Sequence, residues 1–241
     1  MKRNRRTAFI LAAGLGTRLK ELTINKPKAL VSINNEPLLK VVLEELKRQG
    51  FNHFVVNIHH FGEHIIDFLQ GMDVEISDER PLLMDTGGAI LQALPYFADS
   101  EAVLVHNVDV LTNVDLQGFY DDFCHSDNAA WLLTQERNSK RKLVFDKNDN
   151  FLGRYNTETN DYDGKGALPN DCKLLSFSGI HLFKPQYFKD FKVEPCYVFK
   201  LYQQIAENHR VTSKLIHPDY WFDLGTQEQL KNAELWLSSR R

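Results

Sequence analysis

Close to the N-terminus stands the segment Ala8-Phe9-Ile10-Leu11-Ala12-Ala13-Gly14-Leu15-Gly16-Thr17-Arg18, in which an apolar run passes into a glycine-rich one. The apolar run, residues 8–13, predicts a buried strand. The two glycines after it let backbone N–H groups approach a ligand closely and form a concave nest for an anion. Arg18 and, further along, Lys28 add two cations that bind phosphate, the first as a fork and the second as a point charge. We therefore predict a polyphosphate site at the end of this strand.

Two widespread phosphate-binding loops do not fit this segment. The dinucleotide fingerprint G-x-G-x-x-G requires a third glycine where Leu19 stands, and the P-loop pattern G-x-x-x-x-G-K-[ST] is absent. A plain surface turn between a strand and a helix stays open as an alternative, because Gly-Leu-Gly turns are common.

Strands and helices alternate along the first half of the chain. Hydrophobic periodicity predicts helices over residues 37–49, 62–70 and 87–97, and strands over residues 54–58, 74–76 and 102–105. Such alternation is typical of parallel βαβ units, whose ligands bind beyond the carboxyl ends of the strands. We predict an α/β fold with a Rossmann-like, mixed and mostly parallel central sheet flanked by helices.

The pattern changes after Ala130. Residues 142–146 and 151–155 flank Asn148-Asp149-Asn150 and predict a hairpin, and the polar residues 156–171 predict a long loop. Further strands are expected over residues 178–183, 211–216 and 221–222, with helices over residues 198–208 and 227–237.

The segment Ala12–Arg18, followed by Lys26-Pro27-Lys28-Ala29-Leu30, resembles the signature of the sugar-1-phosphate nucleotidyltransferases, or NDP-sugar pyrophosphorylases. Within that family the chain is similar to the short N-acetylmuramic acid 1-phosphate uridylyltransferases and to the mannose-1-phosphate guanylyltransferases. The resemblance implies the nucleotide-diphospho-sugar transferase fold in one domain, residues 1–241. Its nucleotide-binding half would be residues 1–130, and its smaller, β-rich sugar-phosphate-binding half residues 131–241.

The resemblance also implies the reaction and the residues that carry it out. A nucleotidyl group would pass from an NTP to a sugar 1-phosphate, giving an NDP-sugar and pyrophosphate for cell-envelope polysaccharide. The implied catalytic residues are Arg18 and Lys28. The implied nucleotide contacts are Ala12, Ala13, Gly14, Leu15, Gly16, Thr17, Glu79, Thr86, Gly87 and Gly88, and the implied sugar contacts are Asn107, Ser178 and Gly179.

Each of the more distant site residues also has a purely structural interpretation. Asp85 or Thr86 before Gly87 is typical of a helix N-cap, and Glu79 could be a solvated loop carboxylate. Gly179 within a strand indicates either a ligand that approaches closely or a bulge.

A magnesium site is implied by two aspartates. Asp109 follows an apolar strand, and Asp223 lies in Trp221-Phe222-Asp223-Leu224-Gly225-Thr226, which resembles the family's W-x-D-x-G-T-like segment. Alone, each aspartate would more often cap a helix or form a turn. Together they match the family's pair of ligands for Mg²⁺, which prefers one or two carboxylates plus phosphate and water oxygens.

One position departs from the family pattern. Relatives usually place glycine before the first magnesium aspartate, whereas this chain has Val108. Because valine is stiff and disfavours positive φ, we expect an extended backbone here, with the Val108 side chain packed in the core.

Composition restricts the partners and the compartment. A formal net charge of −3 gives no reason to expect binding to nucleic acid or to a membrane. Three widely spaced cysteines favour a reducing compartment. The basic N-terminus resembles a signal peptide, but its apolar run is short and supplies the phosphate loop, so we expect a cytoplasmic protein. We further expect a monomer or a small homo-oligomer.

Other functions stay open at this stage. A choline-phosphate cytidylyltransferase-like enzyme shares the N-terminal signature, and a non-catalytic nucleotide-sugar sensor would need only binding. A glycosyltransferase is disfavoured because it has no need of the Arg18 and Lys28 pair. If Glu79 accepts a hydrogen bond from the base, we expect UTP, dTTP or GTP in preference to CTP or ATP, since only uracil, thymine and guanine carry an imino N–H on the pairing edge.

Overall fold

The computed structural model of this protein describes residues 5–239, which divide into two compact units. Unit 1 comprises the chain up to Leu83, His106–Gln117, and the chain from Pro218; unit 2 comprises Met84–Val105 and Gly118–His217. These bounds differ from the expected division at residue 130, because the chain leaves unit 1 and returns to it. The assignment of nucleotide and sugar roles to two halves stays a prediction.

The strands, in chain order, are β1 Thr7–Leu11, β2 Ser32–Ile33, β3 Glu36–Pro37, β4 His53–Ile58, β5 Glu75–Asp78, β6 Val103–Asn107, β7 Val110–Thr112, β8 Ala130–Gln135, β9 Arg141–Phe145, β10 Phe151–Asn156, β11 Tyr162–Gly164, β12 Lys173–Phe183, β13 Val211–Leu215 and β14 Trp221–Asp223. The α-helices are α1 Leu38–Arg48, α2 Gly62–Leu69, α3 Asp85–Ala93, α4 Leu116–Cys124, α5 Val198–Ile205 and α6 Gln227–Ser238. Short 3-10 helices cover Thr17–Thr23, Lys28–Leu30, Leu94–Phe97 and Pro185–Phe188.

Unit 1 is built on parallel strands. β1 pairs with β4 in a register that places Leu11 beside Asn57, and β4 pairs with β5 so that Ile58 lies beside Asp78. The carboxyl ends of these strands therefore share one edge of the sheet. α1 buries a stripe of Leu38, Leu39, Val42, Leu43 and Leu46, the helical spacing from which it was predicted.

Unit 2 is mainly antiparallel. β12 pairs with β8 and β9, and β9 forms the predicted hairpin with β10. β13 runs parallel to β8. The large aromatic side chains that are fully buried in the described part of this unit are Phe97, Phe123, Phe145, Phe151, Phe183, Phe188 and Tyr202. The predicted mixed α/β fold, with a central sheet flanked by helices, is confirmed.

The sequence prediction missed four elements of the structure or placed their bounds differently. The expected loop over residues 156–171 contains β11, which pairs with β10, and β12 begins at Lys173 rather than at residue 178. α4 and β8 were not predicted. β8 is buried at every position, so it lacks the alternation that identifies a half-buried strand, and the short polar β11 has no periodicity at all.

Two further properties bear on the environment of the chain. Cys124, Cys172 and Cys196 are free thiols. Among residues 5–239 no helix combines the length and the apolar character that a membrane crossing requires.

Two buried histidines make stability depend on pH. Burial lowers the pKa of His106 from 6.5 to about 4 and that of His181 from 6.5 to about 3. Below the unfolded pKa of about 6.5 the unfolded chain therefore takes up protons that the folded chain does not. The contribution of His106 and His181 to the free energy of unfolding is therefore highest above about pH 6.5. It should fall on acidification toward the folded pKa values, by about 1.4 kcal/mol per pH unit for each histidine.

Urea unfolding of the wild type and of His181→Leu, between about pH 7.5 and about pH 5, measures this effect. Within the part of the chain that the structure describes, neither ring nitrogen of His181 has a hydrogen-bond partner, so leucine breaks no hydrogen bond. We expect a shallower pH dependence for the variant, and identical slopes would contradict the assignment.

Candidate active site

A buried asparagine holds the start of the glycine-rich loop. Asn57 Oδ1 accepts hydrogen bonds from the backbone N–H groups of Ala12 at 2.6 Å and Ala13 at 3.2 Å. Asn57 Nδ2 in turn donates to Glu79 Oε1 at 2.7 Å. Asn57 is 3% exposed and Glu79 is 1% exposed. The chain from β1 therefore leaves the sheet along a path fixed by two polar side chains from β4 and the end of β5.

This arrangement changes the interpretation of three predicted residues. Glu79 is not a solvated loop carboxylate; that alternative is wrong, because the side chain is buried and bonded to Asn57. The N–H groups of Ala12 and Ala13 have Asn57 as their acceptor, and contact of these two residues with a nucleotide stays a prediction. The hydrogen bond from Glu79 to a base stays a prediction. Sequence reasoning missed Asn57, although a polar residue inside the apolar run 54–58 was the available signal.

The exposed part of the loop begins at Gly14. Gly14, Leu15, Thr17 and Arg18 are exposed, so the segment predicted to bind phosphate is open to solvent. Gly16 has φ +66°, and its carbonyl accepts hydrogen bonds from Leu19 N at 2.9 Å and Thr23 Oγ1 at 3.1 Å. Gly16 therefore turns the loop into the helix at Thr17–Thr23, and its positive φ is the conformation for which glycine is preferred.

Gly16→Ala is expected to lower the free energy of unfolding by about 1–2 kcal/mol. Alanine at this position would have to adopt a positive φ. Its Cβ atom would lie 3.0 Å from both Lys28 Cβ and Thr23 Cγ2. Gly14→Ala is the matched control, since a Cβ there meets nothing within 4 Å. Urea unfolding compares the two, and equal stabilities would contradict this account of the turn.

Lys28 forms an ion pair with Asp109 through Nζ and Oδ2. Lys28 is 8% exposed and starts the 3-10 helix Lys28–Leu30, which is closed by hydrogen bonds from Leu30 N to Pro27 O and from Val31 N to Lys28 O, each 3.0 Å. Asp109 lies in the turn between β6 and β7. A short helical turn and a strand end thus hold two opposite charges in contact with little solvent between them.

The two predicted magnesium aspartates are brought together by a strand pair. β14 runs antiparallel to β7 with Asp223 opposite Val110, and Leu224 N donates to Asp109 O at 2.8 Å. Asp223 Oδ1 accepts a hydrogen bond from Gly225 N at 2.9 Å. The backbones at Asp109 and Asp223 are therefore neighbours although the residues are far apart in sequence.

The Arg18 guanidinium lies near Asp223, beside the position that a Gly225 side chain would occupy. A Cβ atom built on Gly225 would lie 2.6 Å from Arg18 Nη2 and 2.8 Å from Asp223 Oδ1. Glycine at this position therefore leaves the space that the guanidinium occupies beside Asp223. Together with the Lys28–Asp109 pair, this places all four predicted charges in unit 1.

The aspartates suit Mg²⁺ in chemistry and in number. Among residues 5–239 no group of three or more histidine, cysteine, aspartate or glutamate side chains could hold a metal ion. Two carboxylates would leave the remaining coordination positions to phosphate and water oxygens, which is how Mg²⁺ is usually held beside a nucleotide. Asp109 and Asp223 therefore fit the ion that the resemblance implies.

The first turn of α6 is hydrogen-bonded to the 3-10 helix that carries Arg18. The Thr226 hydroxyl accepts a hydrogen bond from Gln229 N at 3.2 Å and so caps α6. Gln227 Nε2 donates to Leu19 O and to Glu21 Oε2, both at 3.0 Å. These bonds join the 3-10 helix Thr17–Thr23, which carries Arg18, to the start of α6. No role was assigned to Gln227 from the sequence.

Val108 has the environment expected of a packing residue. It is 4% exposed, its φ is not positive, and its N–H donates to Leu11 O at 3.2 Å. The missing family glycine has therefore not produced a strained backbone next to Asp109.

Val108→Gly should destabilise the protein by about 1–3 kcal/mol, through lost burial and added chain entropy, and should not raise turnover. Thermal or urea unfolding together with an activity assay measures both effects. A large gain in activity would instead show that valine impairs the site, and would favour the non-catalytic sensor.

Thr86, Gly87 and Gly88 belong to unit 2, where the two glycines pack against the segment Glu194–Tyr197. The N–H groups of Gly87 and Gly88 both donate to Cys196 O, at 2.8 and 3.2 Å. A Cβ on Gly88 would lie 2.5 Å from Glu194 O. Close packing of two backbones therefore explains both glycines, and their contact with a base stays a prediction.

The predicted cap of α3 is wrong. The helix begins at Asp85 after Met84, with no side-chain cap, and Asp85 has φ +58°. The Thr86 hydroxyl instead accepts a hydrogen bond from Val198 N at 3.1 Å and so satisfies the first turn of α5.

The predicted sugar contacts have local structural roles. Gly179 has φ +84° where the register between β12 and β8 shifts, which confirms the alternative of a bulge. Ser178 is fully buried, and its hydroxyl accepts a hydrogen bond from Ile180 N at 3.2 Å. Asn107 ends β6 in unit 1, half-buried, with its carbonyl accepting a bond from His106 Nδ1 at 2.9 Å. Contact of these three residues with a sugar stays a prediction.

Comparison with known proteins gives relatives along nearly the whole chain. Residues 8–165 match the family model of the MobA-like NTP transferase domain. An N-acetylmuramate alpha-1-phosphate uridylyltransferase of Neisseria meningitidis serogroup B is 30% identical over 239 residues, covering 94% of this chain and 96% of the relative. A D-glycero-alpha-D-manno-heptose 1-phosphate guanylyltransferase of Campylobacter jejuni is 27% identical, covering 92% of this chain and 95% of the relative.

Solved structures share the fold. A putative glucose-1-phosphate thymidylyltransferase from Bacillus anthracis superposes with a TM-score of 0.78 at 16% identity, covering 96% of this chain and 94% of that one. HddC from Yersinia pseudotuberculosis, in complex with GMP-PN, superposes with a TM-score of 0.75 at 20% identity, covering 96% and 99%. At these identities the likeness supports the α/β architecture and nothing finer.

Proposed function

This chain belongs to the family of MobA-like NTP transferase domains and is a nucleotidyltransferase, and from that premise we propose that it joins an NTP and a sugar 1-phosphate into an NDP-sugar, with release of pyrophosphate. The observation that carries the proposal is the gathering of Arg18, Lys28, Asp109 and Asp223 in unit 1.

The proposed reaction needs positioning more than it needs a base. A phosphate oxygen of the sugar 1-phosphate attacks the α-phosphorus of the NTP, the new P–O bond forms, and the bond to pyrophosphate breaks. Because a phosphate monoester is already anionic, no group has to remove a proton from the nucleophile. Catalysis then consists of holding two anions in line and offsetting their repulsion.

Two cations of unit 1 suit these tasks. Arg18, exposed beside the glycine-rich loop, would bind the β- and γ-phosphates through its planar fork and stabilise the leaving pyrophosphate. Lys28, held in place by the turn Pro27–Leu30, would bridge the α-phosphate and the incoming sugar phosphate. Asp109 and Asp223 would hold Mg²⁺, which when bound neutralises phosphate charge and orients the phosphates.

The nucleotide and the setting are also proposals. We expect UTP, dTTP or GTP as the donor, and a cytoplasmic protein that supplies activated sugars for cell-envelope polysaccharide. The two relatives described above are a uridylyltransferase and a guanylyltransferase, which is in keeping with this range of bases.

A screen for pyrophosphate release tests the proposal. Each of UTP, dTTP, GTP, CTP and ATP is combined with a panel of sugar 1-phosphates and, separately, with choline phosphate, in the presence of Mg²⁺. Release with UTP, dTTP or GTP and a sugar 1-phosphate is the expected result. A clear preference for CTP with choline phosphate would favour the cytidylyltransferase alternative. Binding of a nucleotide sugar without any pyrophosphate release would favour the sensor.

A further inference from the structure

Asn57 is the one polar residue in the buried run 54–58 of β4. Burial of an amide costs free energy unless its oxygen and its nitrogen are both hydrogen-bonded. The strand register places Asn57 beside Leu11, the last residue of β1. Beyond Leu11 the chain leaves the sheet, and Asn57 Oδ1 accepts hydrogen bonds from the next two backbone N–H groups, those of Ala12 and Ala13. The Asn57 side chain therefore continues the contact between the two segments where the strand pairing ends.

The glycine-rich loop is held at both of its ends. Asn57 holds the start through Ala12 and Ala13, which are 1% and 5% exposed. At the other end the Thr23 hydroxyl donates to the carbonyl of Gly16 at 3.1 Å. The residues between these two anchors are open to solvent.

The middle of the loop has unused hydrogen-bond donors. Among residues 5–239, the N–H groups of Gly14, Leu15 and Gly16 have no acceptor within the chain. Consecutive N–H groups of this kind form a concave site for an anion, and Arg18 follows two residues later. Their direction depends on the two anchors, because the loop makes no strand pairing of its own.

Glu79 fixes the orientation of the Asn57 amide. Asn57 Nδ2 donates to Glu79 Oε1 at 2.7 Å, which leaves the oxygen of the amide to face the loop. The backbone of Glu79 is fixed in turn, since its N–H donates to Ile58 O at 2.8 Å and its carbonyl accepts a bond from His59 Nδ1 at 2.7 Å. An amide turned the other way would direct its NH₂ group at the N–H groups of the loop.

We propose that Asn57 is a positioning residue of the reaction, which holds the glycine-rich loop in the conformation that binds the phosphates, with Glu79 as the partner that orients its amide. Asn57 acts through the loop on the pyrophosphate portion of the NTP and not on the base. This inference rests on the proposed function and adds a positioning residue to the site of Arg18. All of the residues involved lie in unit 1.

Asn57→Asp tests the orienting partnership. Aspartate keeps an acceptor for the two N–H groups but places a second carboxylate against Glu79. We expect pyrophosphate, measured calorimetrically with Mg²⁺, to bind about tenfold or more weakly, and kcat to fall by a similar factor. The KM for the sugar 1-phosphate should stay within about twofold of the wild-type value, whereas a general disruption of the fold would change it as well.

The double variant Asn57→Asp/Glu79→Gln reverses the pairing. The glutamine NH₂ group can donate to the aspartate, so the loop regains an acceptor in the required orientation. Its affinity for pyrophosphate should return to within about threefold of the wild type. Pyrophosphate is the readout because it carries no base, so a contact between Glu79 and a base does not affect it. Asn52→Asp adds the same charge at an exposed position before β4 and should leave pyrophosphate binding and kcat unchanged.

Thermal unfolding establishes which variants are folded. If Asn57→Asp does not fold, Asn57→Ala replaces it, since alanine removes both bonds without adding a charge. Wild-type pyrophosphate affinity and kcat in a folded Asn57 variant would overturn the inference, and so would a double variant that binds no better than Asn57→Asp. Weaker binding of NTP with unchanged binding of pyrophosphate would also overturn it, because Asn57 would then act on the base.

Calorimetry separates this inference from the proposed function. If no combination of NTP and sugar 1-phosphate releases pyrophosphate, the proposed function fails, while weaker pyrophosphate binding by Asn57→Asp and its recovery in the double variant would still support the role of Asn57 in the loop. Failure of the wild type to bind pyrophosphate would overturn the inference directly.

Discussion

Replacing Lys28 by methionine is expected to reduce turnover about a hundred- to a thousand-fold, the usual effect of removing one preorganised charge contact from a reaction centre. Methionine keeps the length and apolar volume of the lysine stem, so the turn Lys28–Leu30 should persist. The loss should appear in kcat, because the ammonium group is proposed to contact the α-phosphate where charge develops.

The structure adds a second consequence for this variant. Lys28 is the ion-pair partner of Asp109, whose side chain is 16% exposed, so methionine leaves a poorly solvated carboxylate without its cation. We expect the free energy of unfolding to fall by about 1–3 kcal/mol, and turnover must be measured well below the unfolding temperature. Lys40→Met on α1, which removes an exposed ion pair with Glu36, is the matched control.

Arg18→Ala should cause a loss of turnover of similar size without the loss of stability. Arg18 is exposed, and its guanidinium lies next to Gly225. Because Gly225 has no side chain, truncation of Arg18 removes no side-chain packing there. Arg48→Ala, on the exposed face of α1, controls for the general effect of removing an arginine. A near-normal rate in either Lys28→Met or Arg18→Ala would remove the role proposed for that residue.

Activity is expected to disappear when EDTA removes divalent metal and to return with added Mg²⁺. Asp109→Asn and Asp223→Asn should each raise the Mg²⁺ concentration needed for half-maximal activity about tenfold or more, since an amide is a weaker ligand than a carboxylate. Asp67→Asn, on the exposed surface of α2, should leave that requirement unchanged.

The two aspartates should not act independently. Their backbones are joined through the bond from Leu224 N to Asp109 O, so one ion can contact both carboxylates. The double variant is therefore expected to cost less than the sum of the single ones. Asp223→Asn is the cleaner single variant, because Asp109→Asn also removes the partner of Lys28. Full additivity, or activity that survives EDTA, would contradict a shared magnesium site.

The sequence by itself was informative wherever structure follows from neighbours in the chain. The run from Ala8 predicted β1, the stripe on α1 predicted that helix, and Asn148-Asp149-Asn150 predicted the β9–β10 hairpin. Gly16, expected to allow a close turn, has the positive φ that makes it suitable. Local propensity and periodicity depend on a few adjacent residues, and those are fully visible in a sequence.

Only the tertiary structure decided which side chains meet across the fold. The partnership of Asn57 with Glu79, the capping of α5 by Thr86 and the packing of Gly87 against Cys196 link segments that no local pattern connects. A glycine or a buried polar residue indicates that something lies close, but not whether it is a ligand or another part of the chain. That choice is made by strand order and register, which is why Gly179 forms a bulge and why Asp223 lies next to Asp109.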